Sequence, residues 1–182
     1  MKIPIIIECI IQKAMKCFKF LLINGIEDPT KTMQELNPDM NNKYWRSSNH
    51  YEWDCLAIAI YYGEVEIEGI LEEKCIKKGS RKGHLEAAVL SYRNSITKEI
   101  SIQMKMNGLN LNYGLLASVK NNNIKLGDFF INETCFHYGQ IYKYPLHIAA
   151  MNNSKEMGQI LISKGAEINA IDIISQIIII LY

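Results

Sequence analysis

The sequence predicts an all-α fold of about five stacked helix pairs, and the stretch from Lys143 to Asp172 is the clearest evidence for it. In this stretch apolar residues crowd a short helix after Pro145, and they recur at helical spacing in a second helix that ends before Gly165. Proline suits the first position of a helix, where its missing N–H would have no partner, and glycine suits the residue after a helix, where φ is often positive. The stretch is therefore predicted to form one helix–turn–helix unit.

The segment YPLHIAA, followed by Leu161 and GAEINAID, resembles the ankyrin repeat, whose signature is TPLH-x-A and whose period is about 33 residues. The resemblance implies an ankyrin-type α-solenoid that serves as a binding scaffold, and it does not identify the partner. Tyr144 stands where the family has threonine. Because tyrosine lacks the short side-chain oxygen of an N-cap, we expect a helix start weaker by about 0.5 to 2 kcal/mol. The family positions that this unit shares are Pro145, Leu146, His147, Ala149, Ala150, Gly165, Ala166 and Asn169.

The second-helix pattern of this unit recurs at residues 16–28, 66–78, 99–112 and 125–136, so about five units are expected. If Leu146 is the reference for the first helices, its predicted equivalents are Ile6, Leu56, Val89 and Leu115, at spacings of 50, 33, 26 and 31 residues. The third position is approximate, because the apolar run around it also fits a register shifted by one residue. The short spacing predicts that the β-hairpin finger between the third and fourth units is absent, with a tight turn at Asn112, Tyr113 and Gly114.

The predicted ankyrin-repeat domain covers residues 1–172, and an inserted loop at residues 29–50 accounts for the long first spacing. This loop contains two prolines, four asparagines and no sustained period. Its Tyr44, Trp45 and Arg46 either dock onto the second unit or contact a partner. The predicted units are about 1–28, 51–82, 83–112, 113–138 and 140–172.

Residues 173–182 form an aberrant apolar tail, because the last unit of a repeat array needs a polar outer face. A truncation or a shifted reading frame explains such a tail better than a membrane anchor, since ten residues cannot cross a bilayer. The apolar run from Lys2 to Ile26 is interrupted by charges, so it predicts neither a membrane span nor a signal peptide.

Charge and motif content argue against nucleic-acid binding and against catalysis. The chain has 20 Lys and Arg against 19 Asp and Glu, a balance that disfavours a protein built to neutralise phosphates. Its five cysteines are odd in number and lack C-x-x-C spacing, so we interpret them as reduced core residues. No catalytic or phosphate-binding motif occurs, and the four histidines fall in different units. We therefore expect no enzyme activity, no cofactor and no metal.

The expected function is a non-catalytic scaffold that presents a concave face, formed by the first helices and their turns, to an unidentified protein partner. The segments CLAIAIYYG, EAAVLSYRNSI, ASVKNNNIKL and PLHIAAMNNSKE resemble the large intracellular ankyrin family of trichomonad protists. With cysteines interpreted as reduced, an intracellular, cytoplasmic location is expected. A monomer is expected. The residues predicted to contact the partner are Tyr61, Tyr62, Asn94, Lys120, Asn121, Tyr142, Tyr144, Met151 and Asn152.

Two alternatives to this function stay open at the level of sequence. The chain is either the interaction or regulatory piece of a larger, possibly enzymatic protein, or a non-functional truncated fragment of a longer ankyrin array. A longer parent reading frame would distinguish the first alternative, and the apolar tail favours the second.

Overall fold

The computed structural model of the protein describes residues 4–32, 35, 53–75, 81–133, 145–166 and 168. This part of the chain contains ten helices and no strand, so the predicted all-α class is confirmed. Most of the inserted loop, including Tyr44, Trp45 and Arg46, and the whole apolar tail lie outside the described residues. The helices are α1 (Ile5–Ile11), α2 (Met15–Ile23), α3 (Cys55–Tyr62), α4 (Val65–Cys75), α5 (Arg81–Leu90), α6 (Asn94–Met106), α7 (Asn112–Lys120), α8 (Ile124–Glu133), α9 (Pro145–Met151) and α10 (Lys155–Ser163).

Consecutive helices form pairs across short turns: α1 packs on α2, α3 on α4, α7 on α8 and α9 on α10. Second helices bury apolar side chains at helical spacing, for example Phe18 and Leu21 of α2 or Met157 and Leu161 of α10. These pairs are three and four residues apart and therefore lie on one face of a helix. The local pattern of the sequence thus accounts for the second helices.

The chain divides into two compact units, Met1–Ile100 and Ser101–Tyr182. In the first unit the first helices lie side by side, because α3 packs on α1 and also on α5. This central position explains why six consecutive residues of α3, from Cys55 to Ile60, are buried. A helix with neighbours on several sides needs apolar residues all round.

In the second unit, α7 packs on α9 and α8 packs on α10, so first helices contact first helices and second helices contact second helices. The largest fully buried side chains of this unit include Leu115, Leu126, Phe130 and Met157. Such nearest-neighbour packing of helix pairs is the arrangement of repeat proteins.

A residue with positive φ lies between the two helices of every pair, and these residues show where each repeat begins. They are Lys13, Gly63, Tyr92, Asn122 and Asn153, spaced by 50, 29, 30 and 31 residues. Seven positions before each of them stand Ile6, Leu56, Leu85, Leu115 and Leu146, all of them buried.

The predicted equivalence of Val89 with Leu146 is therefore wrong, because the turn at Tyr92 makes Leu85 the equivalent residue. Leu85, Ala88 and Val89 are all fully buried, so the apolar pattern by itself fits more than one register. The spacings predicted as 33 and 26 residues become 29 and 30 when the turns define the repeat.

The connection between the third and fourth pairs also differs from the prediction. Asn112, Tyr113 and Gly114 are the first residues of α7 and not a tight turn. The turn lies at residues 107–111, where the Asn110 side chain accepts a hydrogen bond from the backbone N–H of Asn112 at 2.7 Å. This turn contains no strand, in keeping with the absence of a finger there. The helix before it, α6, has 13 residues against 9 in α2 and α10, which is about one additional helical turn.

Cysteine placement is mixed. Cys9 and Cys55 are buried, as the prediction of core residues requires. Cys17 is exposed, so that prediction is wrong for this residue: α2 turns Phe18 and Leu21 towards the core, which leaves Cys17 on the outer face. The side chains of Cys75 and Cys135 lie outside the described part of the chain. None of the helices in that described part is both long enough and apolar enough to cross a membrane.

Candidate functional site

The two residues before each positive-φ turn residue lie where the first helix ends. Their chemistry varies from pair to pair, whereas the residue seven positions before the turn is always Ile or Leu. Varied side chains at structurally equivalent positions are what a repeat scaffold uses to choose its partner, although Ile11 and Leu90 pack against the core here. The five pairs are Ile11 and Gln12, Tyr61 and Tyr62, Leu90 and Ser91, Lys120 and Asn121, and Met151 and Asn152.

Among these five pairs, Tyr61 and Tyr62 are the one that presents aromatic side chains. They are the last two residues of α3, which ends at Gly63 with a φ of 74°, a value that glycine adopts without strain. Tyr61 is 40% exposed and Tyr62 is 44% exposed. Adjacent helical residues point about 100° apart, so at most one of the two was expected to be fully buried, and neither is.

An aromatic support holds the tyrosine pair. The ring of Tyr61 lies 5.3 Å from that of Trp53, tilted by 54°, and 5.3 Å from that of Tyr62, nearly perpendicular to it. Trp53 is buried, and its Nε1 donates a hydrogen bond to Glu86 of α5 at 3.2 Å. Because this hydrogen bond fixes the tryptophan, the Tyr61 ring that packs on it has little conformational freedom to lose when a partner binds.

Burial raises the pKa of the Tyr62 phenol, and the neighbouring Tyr61 and the charge of Glu8 contribute in the same direction. Glu8 belongs to α1, which packs against α3. The phenol therefore stays protonated well into the alkaline range and can donate a hydrogen bond at neutral pH.

Alanine replacements of the two tyrosines should separate a surface role from a core role. Tyr62→Ala is expected to change the free energy of unfolding by less than about 1 kcal/mol, because surface substitutions have small effects. Tyr61→Ala is expected to cost about 0.5 to 1.5 kcal/mol more, because it also removes the ring contact with Trp53. Urea unfolding followed by circular dichroism measures both. Losses of about 3 kcal/mol or more for both variants would mean that the rings belong to the core.

In the second unit, the packing of α7 on α9 brings together four of the predicted residues, Lys120, Asn121, Met151 and Asn152. The Asn152 side chain donates a hydrogen bond from Nδ2 to the backbone oxygen of Lys120 at 3.2 Å. Met151 is 73% exposed, and Lys120 and Asn152 are exposed as well. The exposed thioether of Met151 is flexible, so it can adapt to varied partners.

The remaining predicted residues have other positions. Asn94 is the first residue of α6, on the far side of the turn from α5. It was predicted as a contact residue because the third repeat was aligned on Val89. The corrected register places Leu90 and Ser91 at the position equivalent to Tyr61 and Tyr62. Tyr142 and Tyr144 lie outside the described residues. The equivalent pair of the first repeat, Ile11 and Gln12, was missed, although counting five and six residues on from Ile6 identifies it.

In the described part of the chain, no three His, Cys, Asp or Glu residues are placed to hold a metal ion. One buried acid–histidine contact joins Nε2 of His84 to Oδ1 of Asp54 at 2.9 Å. Both residues are buried, and the same carboxylate caps α3, so this pair is positioned to join two repeats.

Comparison with protein families agrees with this geometry. Residues 143–173 match the family model of the ankyrin repeat. Comparisons with curated proteins and with solved structures gave no match. The matched residues include α9 and α10, the last of the five helix pairs, and the chain has the fold class of an ankyrin-type helical repeat. Ankyrin repeats are modules of protein–protein interaction.

Proposed function

We propose that this chain is a non-catalytic interaction scaffold that binds a protein partner through the ends of its first helices. The observation that carries the proposal is the exposed tyrosine pair at the end of α3, held on a buried tryptophan. Aromatic side chains that are rigid before binding supply contact area at a low entropic cost. The fold does not require tyrosine at this place, because the equivalent residues of the last pair are Met151 and Asn152.

The surface of Lys120, Asn121, Met151 and Asn152 would supply further contacts. Interfaces concentrate their binding energy in a few residues, among which tyrosine is enriched, and surround them with weaker contacts. We therefore assign the larger share of the affinity to Tyr61 and Tyr62, and we assign adaptable contacts to Met151 and its neighbours.

Several finer features belong to the same proposal. The repeats would form one interaction domain over residues 1–172 and act as a monomer inside the cell, in the cytoplasm. The resemblance to the ankyrin family of trichomonad protists supports the intracellular setting, and it rests on segments such as CLAIAIYYG and ASVKNNNIKL.

Site-specific photo-cross-linking tests the proposed surface. A benzophenone amino acid is introduced at Tyr62 or Met151, and in matched controls at Glu72 of α4 or Lys125 of α8, which are exposed on second helices. The chain is irradiated in extracts of cells that express it, and adducts are identified by mass spectrometry. We expect one protein to be captured from positions 62 and 151 and not from positions 72 and 125.

Capture of the same protein equally well from the second helices, or from no position at all, would contradict the proposal. Circular dichroism of each variant before irradiation confirms that the helices are intact. A loss of adducts then reports on the surface and not on folding.

A further inference from the structure

We propose that the surface formed by Tyr61, Tyr62 and Glu8 receives an arginine side chain from a basic segment of the partner. This inference rests on the proposed function and names the chemistry of its occupant. Its three residues come from two packed helices, since α1, which carries Glu8, lies against α3, which ends in the tyrosines.

The aromatic part of the argument is geometric. A cation within about 6 Å of a tyrosine ring is attracted by the negative face of its π system. The rings of Tyr61 and Tyr62 lie 5.3 Å apart, and both residues are partly exposed, so an incoming guanidinium can approach two aromatic rings at the same place. Arginine suits such a place better than lysine, because its planar group stacks on aromatic faces and is more weakly hydrated.

The charge around the rings selects a cation over an anion. On the neighbouring helix α4 and the turn before it, Glu64, Glu66 and Glu68 are each neutralised by a basic residue: the ion pairs are Lys13–Glu64, Lys19–Glu66 and Arg93–Glu68. Glu8 belongs to none of the ion pairs found among the described residues, and its Oε1 accepts a hydrogen bond from the neutral Gln12 side chain at 3.0 Å.

Glu8 therefore keeps a negative charge for an incoming group to neutralise. Its charge is felt at Tyr62, where it contributes to the raised pKa of the phenol. The same charge repels phosphate, so stacking of a nucleotide base on the tyrosines is disfavoured, although exposed aromatic rings can serve that purpose in other proteins.

A pair of peptides that differ in one charge tests the inference. The probe is the blocked heptapeptide Gly-Ala-Ala-Arg-Ala-Ala-Gly, and its control replaces arginine with the neutral isostere citrulline. Binding is followed by NMR of the full chain carrying ¹³C-labelled tyrosine. We expect the arginine peptide to shift the ring resonances of Tyr61 and Tyr62 with a dissociation constant about fivefold lower than that of the citrulline peptide.

Three variants separate the contributions to this binding. Tyr62→Leu keeps apolar bulk without a π face and should weaken the arginine peptide about two- to fivefold, whereas Tyr62→Phe keeps the ring and should bind within about twofold of the parent chain. Glu8→Gln should weaken it by a similar two- to fivefold and reduce its dependence on salt. Glu72→Gln, a charge change on the exposed face of α4, should have no effect.

Equal binding of both peptides, or unchanged binding by Tyr62→Leu and Glu8→Gln together, would overturn the inference. So would ring shifts caused by a ten-nucleotide thymidine oligomer and not by the arginine peptide. Cross-linking at position 62 with no preference for arginine would leave the proposed function standing without this inference. Arginine-specific shifts without any cross-linked protein would support the surface chemistry and contradict the proposed function.

Discussion

Replacing Asp54 with alanine is expected to lower the free energy of unfolding by about 2 to 5 kcal/mol, because the change removes a buried hydrogen-bond partner and a helix cap together. Asp54 is fully buried, and both of its carboxylate oxygens lie 2.9 Å from Nε2 of His84, which donates to them. Oδ1 also accepts a hydrogen bond from the backbone N–H of Ala57 at 2.9 Å and so caps α3. The alanine variant would lose the cap and leave the imidazole of His84 buried without its partner.

A matched variant separates the stability that comes from the helix cap from the stability that comes from the Asp54–His84 pair. Asn123 precedes α8, and its Oδ1 accepts a hydrogen bond from the backbone N–H of Leu126 at 3.3 Å. Asn123→Ala should therefore cost about 0.5 to 2 kcal/mol, the usual value of an N-cap. Asp54→Asn, which keeps a capping oxygen and removes the charge, should fall between the two alanine variants.

Urea unfolding of these variants, followed by circular dichroism, measures the differences. In a double-mutant cycle, His84→Ala should cost much less in the Asp54→Ala background than in the parent chain, because the two side chains act as one unit. If Asp54→Ala costs no more than Asn123→Ala, the buried pair adds nothing beyond the cap. The interpretation of the pair as a link between α3 and α5 would then be wrong.

Gly114→Ala is expected to lower the free energy of unfolding by about 2 kcal/mol, although alanine is the better helix former. A Cβ at Gly114 would lie 2.4 Å from Cζ and 2.5 Å from Cε1 of Phe130, closer than real Cβ contacts come. Phe130 is fully buried, so its rigid ring has no space into which to move. The close approach of α7 to α8 therefore requires glycine.

Gly69→Ala is the matched control, because Gly69 lies on an exposed part of α4 and a Cβ there would meet nothing within 4 Å. That variant should be more stable than the parent chain by about 0.5 to 1 kcal/mol, as alanine loses less conformational entropy on folding. Thermal unfolding of both variants measures the contrast. Phe130→Leu, which shortens the obstructing side chain, should reduce the cost of Gly114→Ala. A gain in stability for Gly114→Ala would contradict the steric argument.

Local pattern was sufficient to predict the second helices. The apolar spacing that places Phe18 with Leu21, or Met157 with Leu161, depends on residues within one turn of each other, and the helices bury those residues. Gly25, Gly108 and Gly165 mark the ends of three second helices, because glycine adopts positive φ at little cost. The all-α class and the helix pairs therefore follow from the sequence.

The register of the third repeat could not be predicted in this way. In α5 the residues Leu85, Ala88 and Val89 are all buried, so the apolar pattern does not distinguish one register from another. The turn that decides it is at Tyr92, with a φ of 58°. Tyrosine has no preference for that conformation, so the residue type does not reveal the turn.

The candidate site depends both on the sequence pattern and on the tertiary structure. Once the register is known, sequence alone indicates which residues follow the core of a first helix, and it identified Tyr61, Tyr62, Met151 and Asn152 at such positions. Tertiary structure alone decided what surrounds those residues, because Glu8, whose charge acts on Tyr62, and Glu86, which holds Trp53 beneath Tyr61, come from other helices. The same holds for Asp54 with His84, which are 30 residues apart, since contacts between repeats depend on how the helices stack and not on local periodicity.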